Sequence, residues 1–449
     1  MEKKQDKNPR EIALSILHDI EVKSAFADRA VSSSARDLRL SAVDRRFVQE
    51  LVFGTTKMRR RLDFVLERFL ERKTDSLTPW IRNILRMGIY QIDFLQKVPA
   101  RAAVDESVKL AKRFGHKGTV MLVNAVLRSY LRDKGRVSFP SRDTDPIQNI
   151  ALFYSFPDWM VEQWVGLFGE EGAVQLCEEF NRRPHLTCRI NQLKTDPGRL
   201  KERLEGDGTK CKTGKLLDDY LIIESKINLD RFAPLQEGLA YIQDESAGLA
   251  VRLLDPRPGE RVLDLCAAPG GKSTHIAELM GDKGLVIAVD ISSGKLKTVS
   301  QNCERLGVRS VVLCCADARD FSCDPVDRVL VDAPCSALGT LGTNPDARWR
   351  KQKDDPPRLH VLQLEILSNA AKLVNEGGVL VYSTCTLTPE ENEQVIFDFL
   401  SHNLNFELAD ASDFLTSEVV DNRGMVRTLP HIHKADGAFA CRLERAAAG

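Results

Sequence analysis

The chain has 449 residues, of which 43% are hydrophobic and 29% charged, and its 64 Lys and Arg balance its 64 Asp and Glu. This composition excludes wholesale disorder, and the length predicts about three domains. The zero net charge conceals an asymmetry, because residues 1–140 hold 29 basic and 17 acidic residues (+12) while residues 141–449 hold 35 and 47 (−12). A basic end joined to an acidic remainder indicates either a polyanionic partner or a solvated helical surface rich in arginine.

The first part of the chain has the pattern of a helical domain. Apolar residues recur at helical spacing in 81–92 and again in 122–131, and Gly or Pro breaks separate the helical stretches. We therefore predict an all-α domain over residues 1–140, a compact helical bundle with a cationic edge. The basic side chains of that edge are Lys57, Arg59, Arg60 and Arg61.

A turn-rich stretch, 135–145, follows the helical region. Residues 150–180 again show helical periodicity, and from 184 to about 242 the pattern shortens into mixed strand and helix pieces. We interpret residues 141–240 as a connecting α/β domain.

From about residue 245 the chain alternates between strands and helices. The predicted strands are 261–265, 285–289, 311–314, 328–331, 379–382 and 438–443, and the predicted helices are 273–280, 295–306 and 359–374. Repeated βα units with strands that are apolar on both faces predict a doubly wound, mostly parallel sheet over residues 241–449. Ligands of such sheets bind at the carboxyl ends of the strands.

A glycine-rich turn, Asp264 to Ser273 (DLCAAPGGKS), joins the first predicted strand to its helix. It nearly fits the phosphate loop of an NTPase, but Cys266 stands where that pattern requires glycine. A nucleoside-binding loop fits better, because Asp290 ends the next strand, where a carboxylate can bind ribose hydroxyls, and Asp317 follows the third strand, where it can bind an adenine amino group.

Two cysteines follow strands of the same predicted sheet. Cys335 lies in Asp332-Ala-Pro-Cys-Ser, and Cys385 lies in Tyr-Ser-Thr-Cys-Thr, behind which Thr388 to Glu391 have the pattern of a helix start. Two cysteines that face one crevice indicate covalent chemistry. The 11 cysteines are odd in number and lack zinc-site spacing, so we expect no disulfide framework and no metal, in a cytoplasmic protein without a membrane span.

Together these motifs resemble the RNA cytosine-5 methyltransferases of the NOL1/NOP2/Sun family, which use S-adenosylmethionine. The resemblance implies a Rossmann-like class I methyltransferase fold in which Cys385 attacks C6 of cytosine and Cys335 assists product release. It leads us to expect that Asp332 hydrogen-bonds the cytosine edge, that Lys272 orients the base or Asp332, and that Cys385 has a depressed pKa. DNA cytosine methyltransferases place the nucleophile in the Pro-Cys motif, so an exchange of the two roles stays open. The residues expected to bind the cofactor are Cys266, Ala267, Ala268, Pro269, Gly270, Gly271, Lys272, Asp290, Asp317 and Asp332.

The resemblance extends upstream. Residues 181–184 and 189–191 match RNA-facing segments of the family, so we expect Arg182, Arg189 and Asn191 to contact RNA. Residues 1–140 resemble the RNA-binding factor NusB, which implies that this domain binds RNA through the basic cluster Lys57, Arg59, Arg60 and Arg61. The combination implies a monomer that methylates cytosine 967 of 16S rRNA, either unassembled or in a partly assembled small subunit. A different rRNA or tRNA site, or a non-catalytic NusB-like RNA-binding regulator, remains as the alternative.

Overall fold

The computed structural model describes residues 8–37 and 40–447. Its helices in chain order are α1 (Pro9–Val22), α2 (Ala27–Asp37), α3 (Ala42–Lys57), α4 (Arg59–Leu66), α5 (Pro79–Phe94), α6 (Ala100–Phe114), α7 (Lys117–Arg132), α8 (Pro146–Tyr154), α9 (Asp158–Asn181), α10 (Pro197–Gly206), α11 (Ala233–Gln236), α12 (Glu245–Leu254), α13 (Gly271–Leu279), α14 (Ser293–Leu306), α15 (Ala347–Arg350), α16 (Asp355–Lys372), α17 (Glu393–His402) and α18 (Pro430–His433). Its strands are β1 (Leu186–Ile190), β2 (Cys211–Thr213), β3 (Tyr220–Ile223), β4 (Ala240–Ile242), β5 (Arg261–Leu265), β6 (Leu285–Asp290), β7 (Val311–Cys315), β8 (Val326–Asp332), β9 (Val374–Thr384), β10 (Phe406–Ala409), β11 (Val426–Thr428) and β12 (Ala438–Arg445). Across these ranges, no helix is both long enough and apolar enough to cross a membrane.

The chain forms two compact units. The first unit comprises Met1–Arg182 with Leu341–Arg350, and the second comprises Arg183–Thr340 with Lys351–Gly449. The boundary between the two units falls within the predicted connecting domain, 141–240, since α8 and α9 belong to the first unit and β1 to β4 to the second. The connecting domain stays a prediction.

The first unit is helical, as the sequence predicts. Some of its helices begin at residues that cap them: Ser41 Oγ accepts the N–H of Asp44 ahead of α3, and Asp145 accepts the N–H of Gln148 ahead of α8. Leu14, Leu51 and Leu85 are completely buried in its core, and each such side chain stabilises the fold by about 1.5–3 kcal/mol.

The segment Leu341–Arg350 is an integral part of the first unit. The fully buried guanidinium of Arg348 donates to the carbonyl of Ser155 (3.2 Å) and to Oδ1 of Asn181 (3.0 Å). The indole N–H of Trp349 donates to the carbonyl of Thr56 at 2.7 Å. No periodicity in the sequence predicts that this segment belongs to the first unit while the residues on either side of it belong to the second.

The second unit contains two sheets. Among the described residues, the larger sheet has the order β10-β12-β9-β8-β5-β6-β7, with β11 paired to β12, and the smaller antiparallel sheet has the order β2-β3-β1-β4. Five successive strands of the larger sheet, β9-β8-β5-β6-β7, are parallel, and β12 is antiparallel to β9. This confirms the predicted doubly wound sheet, with β10 and β11 as strands that the sequence analysis did not predict.

Both faces of the larger sheet are buried. On β9, Val379 and Val381 join the core on one side, while Leu380 and Tyr382 join the core on the other. This is the reason why the parallel strands carry apolar residues on both faces, as expected for a sheet covered by helices on each side.

Candidate active site at the carboxyl ends of the parallel strands

The motif residues follow three neighbouring strands, β9, β8 and β5. Asp332 is the last residue of β8, Cys385 directly follows β9, and Cys266 directly follows β5. Because these strands are parallel, their carboxyl ends meet at one edge of the sheet. The topology therefore gathers the predicted catalytic and cofactor residues at that edge.

The loop between β5 and α13 follows a tight path that glycine permits. Gly270 has φ +96°, and a Cβ there would lie 2.8 Å from Cγ1 of Val299. Cys266, also at positive φ (+67°), turns the chain out of the strand. Burial raises the pKa of its thiol to about 12, so Cys266 is not an acidic thiol. A compact loop of this kind lets a ligand approach the backbone N–H groups closely.

Asp264, at the start of this loop, has an oxygen available for a ligand. Its Oδ2 accepts the hydroxyl of Ser273 at 2.5 Å, whereas its buried Oδ1 has no hydrogen-bond partner in the described part of the chain. Burial raises the pKa of Asp264 to about 7. A buried acceptor without a partner is costly, so this carboxyl fits a ligand that brings a donor, as the amino group of S-adenosylmethionine does.

Asp290 and Asp317 lie beside the loop, at the ends of the next two strands. Asp290 accepts the N–H groups of Ala268 (3.2 Å) and Ser292 (2.9 Å), which orients its carboxylate. Asp317 is engaged by its neighbour Arg319 at 2.7 Å, and this hydrogen bond lowers the pKa of Asp317. Asp290 keeps acceptor capacity for hydroxyl donors, which fits the predicted nucleoside site. Both oxygens of Asp317 already accept Arg319, so an adenine amino group would have to replace one of these hydrogen bonds.

The two motif cysteines are in direct contact. The Sγ atoms of Cys335 and Cys385 lie 3.2 Å apart, and the N–H of Cys385 donates to Sγ of Cys335 at 3.4 Å. Two thiols at this distance can act on the same bound base.

Asp332 and Lys272 form an ion pair next to the cysteines. Nζ of Lys272 lies 2.7 Å from Oδ2 of Asp332, and Ser383 Oγ donates to Oδ1 of Asp332 at 2.9 Å. Burial lowers the pKa of Lys272, but the attraction and hydrogen bond of Asp332, with a smaller contribution from Cys385, outweigh burial and raise it. Of the two roles proposed for Lys272, the geometry favours the orientation of Asp332.

The thiol of Cys385 does not have the depressed pKa that the sequence analysis expects. Its hydrogen bond to Cys335 raises the pKa, as do burial and the charges of Cys335 and Asp332, while Lys272 lowers it. Lys272 is thus a nearby cation that favours the thiolate, but the contact with Cys335, burial and the charge of Asp332 outweigh it.

Thr388 does not cap an α-helix as predicted. Residues Pro389–Glu391 form a single 3-10 turn, and α17 begins at Glu393. The carboxylate of Glu391 is instead drawn to Ser336, whose N–H and hydroxyl both donate to it. Sequence reasoning missed Glu391 as a residue of this site, although its position in the apparent capping pattern was a signal of a buried acceptor.

The basic cluster of the first unit is engaged in internal contacts. The ammonium of Lys57 donates to the carbonyls of Phe180 and Arg182, both at 3.1 Å. Arg60 is paired with Asp158 at 2.7 Å, and Arg61 donates to the carbonyl of Phe153 at 2.9 Å.

Arg59 is half-buried and lies over the ring of Trp349, 5.6 Å from its centroid. Lys57 is therefore held in the interior of the helical unit, which corrects the expectation that it contacts RNA. Contacts of the partly exposed Arg59, Arg60 and Arg61 with RNA stay a prediction.

Two of the three upstream residues expected to contact RNA are also buried. Arg189 is fully buried and donates to Glu278 (2.9 Å) and to the carbonyl of Gly271 (2.6 Å), so it supports the cofactor loop. Asn191 is buried as well and donates to the carbonyls of Gly238 and Leu306. The expectation that they face RNA is wrong for both.

Arg182, the third of these upstream residues, is exposed and pairs with Glu179 at 3.0 Å. Its contact with RNA stays a prediction.

Three family models match this chain. The model of 16S rRNA methyltransferase RsmB/F matches residues 251–444, that of the NusB family matches residues 7–132, and that of the ferredoxin-like domain of RsmF/B-like methyltransferases matches residues 156–230. The match over the second unit excludes the alternative that residues 266–273 form an NTPase phosphate loop.

The chain is also similar over nearly its full length to individual proteins. Relatives named "Probable ribosomal RNA small subunit methyltransferase B" are 38% identical in Bacillus subtilis (97% of this chain, 98% of the relative) and 37% identical in a Synechocystis species (97% and 99%). The crystal structure of PH0851 has a TM-score of 0.83 at 29% identity and covers 99% of this chain and 100% of its own. The chain therefore belongs to the RsmB/F family of rRNA small-subunit methyltransferases, and in this chain a helical NusB domain precedes the methyltransferase domain, which uses S-adenosylmethionine.

Proposed function

We propose that this protein methylates C5 of a cytosine in 16S rRNA through a covalent bond between Sγ of Cys385 and C6 of the base. The observation that carries this proposal is the pair of thiols 3.2 Å apart, next to the Asp332–Lys272 ion pair at the cofactor edge of the sheet. The family resemblance implies cytosine 967. The substrate is RNA that is unassembled or part of a partly assembled small subunit, met in the cytoplasm by a monomer.

The chemistry explains why a thiol is needed. C5 of cytosine is a poor nucleophile, so the thiolate of Cys385 adds to C6, and the electron pair of the C5–C6 double bond moves toward C5 and the ring. The addition divides one difficult step into two easier ones. Asp332 accepts hydrogen bonds from the base edge around N3 and N4, favouring the protonated ring, and Lys272 holds Asp332 in place. The base leaves its stack to reach these groups.

The cofactor fits the loop that follows β5. Asp290 offers acceptors to the ribose, Asp264 offers its unpartnered Oδ1, and Asp317 accepts the adenine amino group in place of a hydrogen bond from Arg319. The residues from Cys266 to Lys272 contribute the loop beside these carboxylates. S-adenosylmethionine supplies the methyl group. The protein's part is to hold the cofactor and the base at one sheet edge while excluding water.

Cys335 completes the reaction. Once C5 carries the methyl group, Cys335 assists removal of the C5 proton. The electron pair of the C5–H bond reforms the C5–C6 double bond, and the bond between Sγ of Cys385 and C6 breaks with its electron pair returning to Sγ as the thiolate. In the exchanged arrangement, Cys335 would form the covalent bond and Cys385 would assist release.

The experiment compares three single variants, Cys335→Ala, Cys385→Ala and Cys315→Ala, incubated with 16S rRNA and S-adenosylmethionine. We expect Cys335→Ala to accumulate an RNA–protein adduct that survives denaturation, because addition proceeds and elimination does not. Cys385→Ala should form none, and Cys315→Ala, which removes an exposed thiol, should turn over as the wild-type protein does. An adduct in Cys385→Ala alone would establish the exchanged roles, and adducts in neither would contradict covalent catalysis.

Bisulfite sequencing of rRNA and tRNA from cells with and without the protein identifies the site. Loss of 5-methylcytosine at one position of 16S rRNA is the expected result. Loss in another rRNA or in tRNA would favour the first alternative, and no loss together with RNA binding would favour a non-catalytic regulator.

A further inference from the structure

Glu391 is a buried carboxylate whose contacts lie between the two cysteine loops. Within the described residues, four donors converge on it: Oε1 accepts the N–H of Ser336 (2.7 Å) and Nε2 of Gln363 (3.1 Å), and Oε2 accepts the hydroxyls of Ser336 and Thr388, the latter at 2.8 Å. Glu391 is completely buried. A carboxylate can accept about four hydrogen bonds, so these donors satisfy it fully.

These contacts fix the direction of a hydrogen-bond chain between the loops. Since an ionised carboxylate only accepts, the hydroxyl of Ser336 donates to Glu391 and must accept the hydroxyl of Thr386, which lies 2.7 Å away. Ser336 directly follows Cys335, and Thr386 directly follows Cys385. Glu391 therefore connects the residues next to both thiols.

The same carboxylate holds both flanks of Cys335. On one side, Glu391 accepts the N–H of Ser336, and on the other, Gln363 donates to the carbonyl of Pro334 at 3.0 Å while also donating to Glu391. The backbone on either side of Cys335 is thus held by two buried side chains that hydrogen-bond each other.

We propose that Glu391 is a positioning residue that holds the thiols of Cys335 and Cys385 at reacting distance. It contacts neither thiol directly and acts through Ser336, Thr386 and the backbone of the Cys335 loop. This inference rests on the proposed covalent methylation, because the benefit of a fixed Sγ–Sγ distance arises only when both thiols act on one base. A misplacement of about 1 Å can cost about 100-fold in rate.

The first test compares Glu391→Ala with Glu390→Ala. Glu390 precedes it in the same turn, and its buried Oε2 has no hydrogen-bond partner among the described residues, so its removal deletes a carboxylate without touching the cysteine loops. We expect Glu391→Ala to lower kcat by about 100-fold while KM for RNA and Kd for S-adenosylmethionine stay within about twofold. Glu390→Ala should leave all three unchanged. Equal kcat in the two variants would overturn the proposal.

The second test is rescue by Glu391→Gln. Its carbonyl can accept the N–H of Ser336, and its amide can donate to the hydroxyl oxygens of Ser336 and Thr388, which then act as acceptors. We expect this variant to stay within about tenfold of the wild-type kcat. If Glu391→Gln lost as much activity as Glu391→Ala, the carboxylate would serve by its charge and not by positioning.

The third test measures how close the thiols of Cys335 and Cys385 lie without using the methylation reaction. Diamide takes two electrons and two protons from a pair of thiols, forming the disulfide and its own hydrazine, so the rate of Cys335–Cys385 cross-linking reports how close the thiols stay. We expect Glu391→Ala to cross-link about tenfold more slowly than wild type. Ser336→Ala, which breaks the chain but keeps the carboxylate, supplies a milder variant should Glu391→Ala not fold, and it should slow cross-linking too.

The outcomes separate the two proposals. Wild-type protein that produces no 5-methylcytosine in any rRNA would contradict the proposed function, whatever the cross-linking shows. Wild-type activity with unchanged cross-linking and kcat in both Glu391→Ala and Ser336→Ala would contradict only the positioning role.

Discussion

Two regions of the molecule carry residues that the sequence assigns to RNA binding or catalysis. In one region these residues lie together, and in the other they make contacts within their own unit. At the carboxyl ends of β8 and β9, Asp332, Cys335 and Cys385 gather in one place, with Lys272 paired to Asp332. In the first unit, the basic residues from Lys57 to Arg61 turn to carbonyls, a carboxylate and aromatic rings of the unit itself.

The difference follows from what each pattern encodes. Parallel strands bring their carboxyl ends to one edge whatever the side chains are, so a motif placed there has a known location. A run of basic residues on a helix does not specify direction, and the long apolar stem of Lys or Arg allows the charged group to reach an internal acceptor. Strand-end motifs therefore predict a site more reliably than charge does.

Removing the proposed nucleophile tests the strand-end site most directly. We expect Cys385→Ser to lower methylation by at least about 1,000-fold, since a hydroxyl is a far weaker nucleophile toward C6 than a thiolate. Transfer of a radiolabelled methyl group to rRNA measures the rate, and equilibrium dialysis measures cofactor binding, which should not change. Cys315→Ser makes the same replacement of a thiol by a hydroxyl at an exposed cysteine and should keep full activity.

If Cys385→Ser kept more than about a tenth of the wild-type rate, no covalent role for that residue would survive. Loss of cofactor binding together with activity would indicate damage to the loop after β5.

A smaller effect is expected from Lys272→Met. Lys272 lowers the pKa of the Cys385 thiol and pairs with Asp332, so its removal should raise that pKa and leave Asp332 less well oriented. We expect methylation to fall by about 100-fold, and alkylation of Cys385 by iodoacetamide, read by mass spectrometry, to need higher pH because less thiolate is present at each pH. Lys283→Met, at an exposed lysine, is the matched control.

An alkylation profile that stayed in place or moved to lower pH in Lys272→Met would contradict the assignment of Lys272 as the cation that favours the thiolate.

Much of the fold was open to sequence reasoning because the signals were local. The predicted strand 261–265 coincides with β5, and the predicted strands 285–289 and 328–331 lie within β6 and β8. Alternating βα units fixed the parallel sheet, and the sheet fixed the edge where Asp332 and Cys385 meet.

What escaped sequence reasoning depends on contacts between distant segments. Glu391 looked like the third residue of a helix, yet its donors include Ser336, which lies 55 positions away. Arg189 looked like an exposed RNA contact, yet Glu278, 89 positions away, holds it in the interior. A local pattern can show that an acceptor or a cation is needed, but not which distant partner takes it.

The last and smallest effect concerns Lys57. Burial and the repulsion of Arg348 lower the pKa of Lys57 from its ordinary value of 10.5 to about 7. An amine with a lower pKa in the folded than in the unfolded protein contributes stability above pH 10.5 that is lost as the pH falls toward 7, because the unfolded chain takes up the proton first. We expect Lys57→Met to lose about 1–3 kcal/mol from the two unpaired carbonyls, and to show a smaller fall in unfolding free energy over that interval.

Urea unfolding at several pH values measures this stability. RNA binding at several salt concentrations measures whether Lys57 contacts the RNA backbone. If Lys57 serves the interior, RNA affinity should be unchanged in Lys57→Met and the slope of log affinity against log salt should change by less than about one. Lys97→Met, at an exposed lysine of the same unit, should leave stability unchanged. A loss of one full unit of salt slope in Lys57→Met, with stability intact, would return Lys57 to the RNA-binding surface, because only a phosphate contact gives that slope.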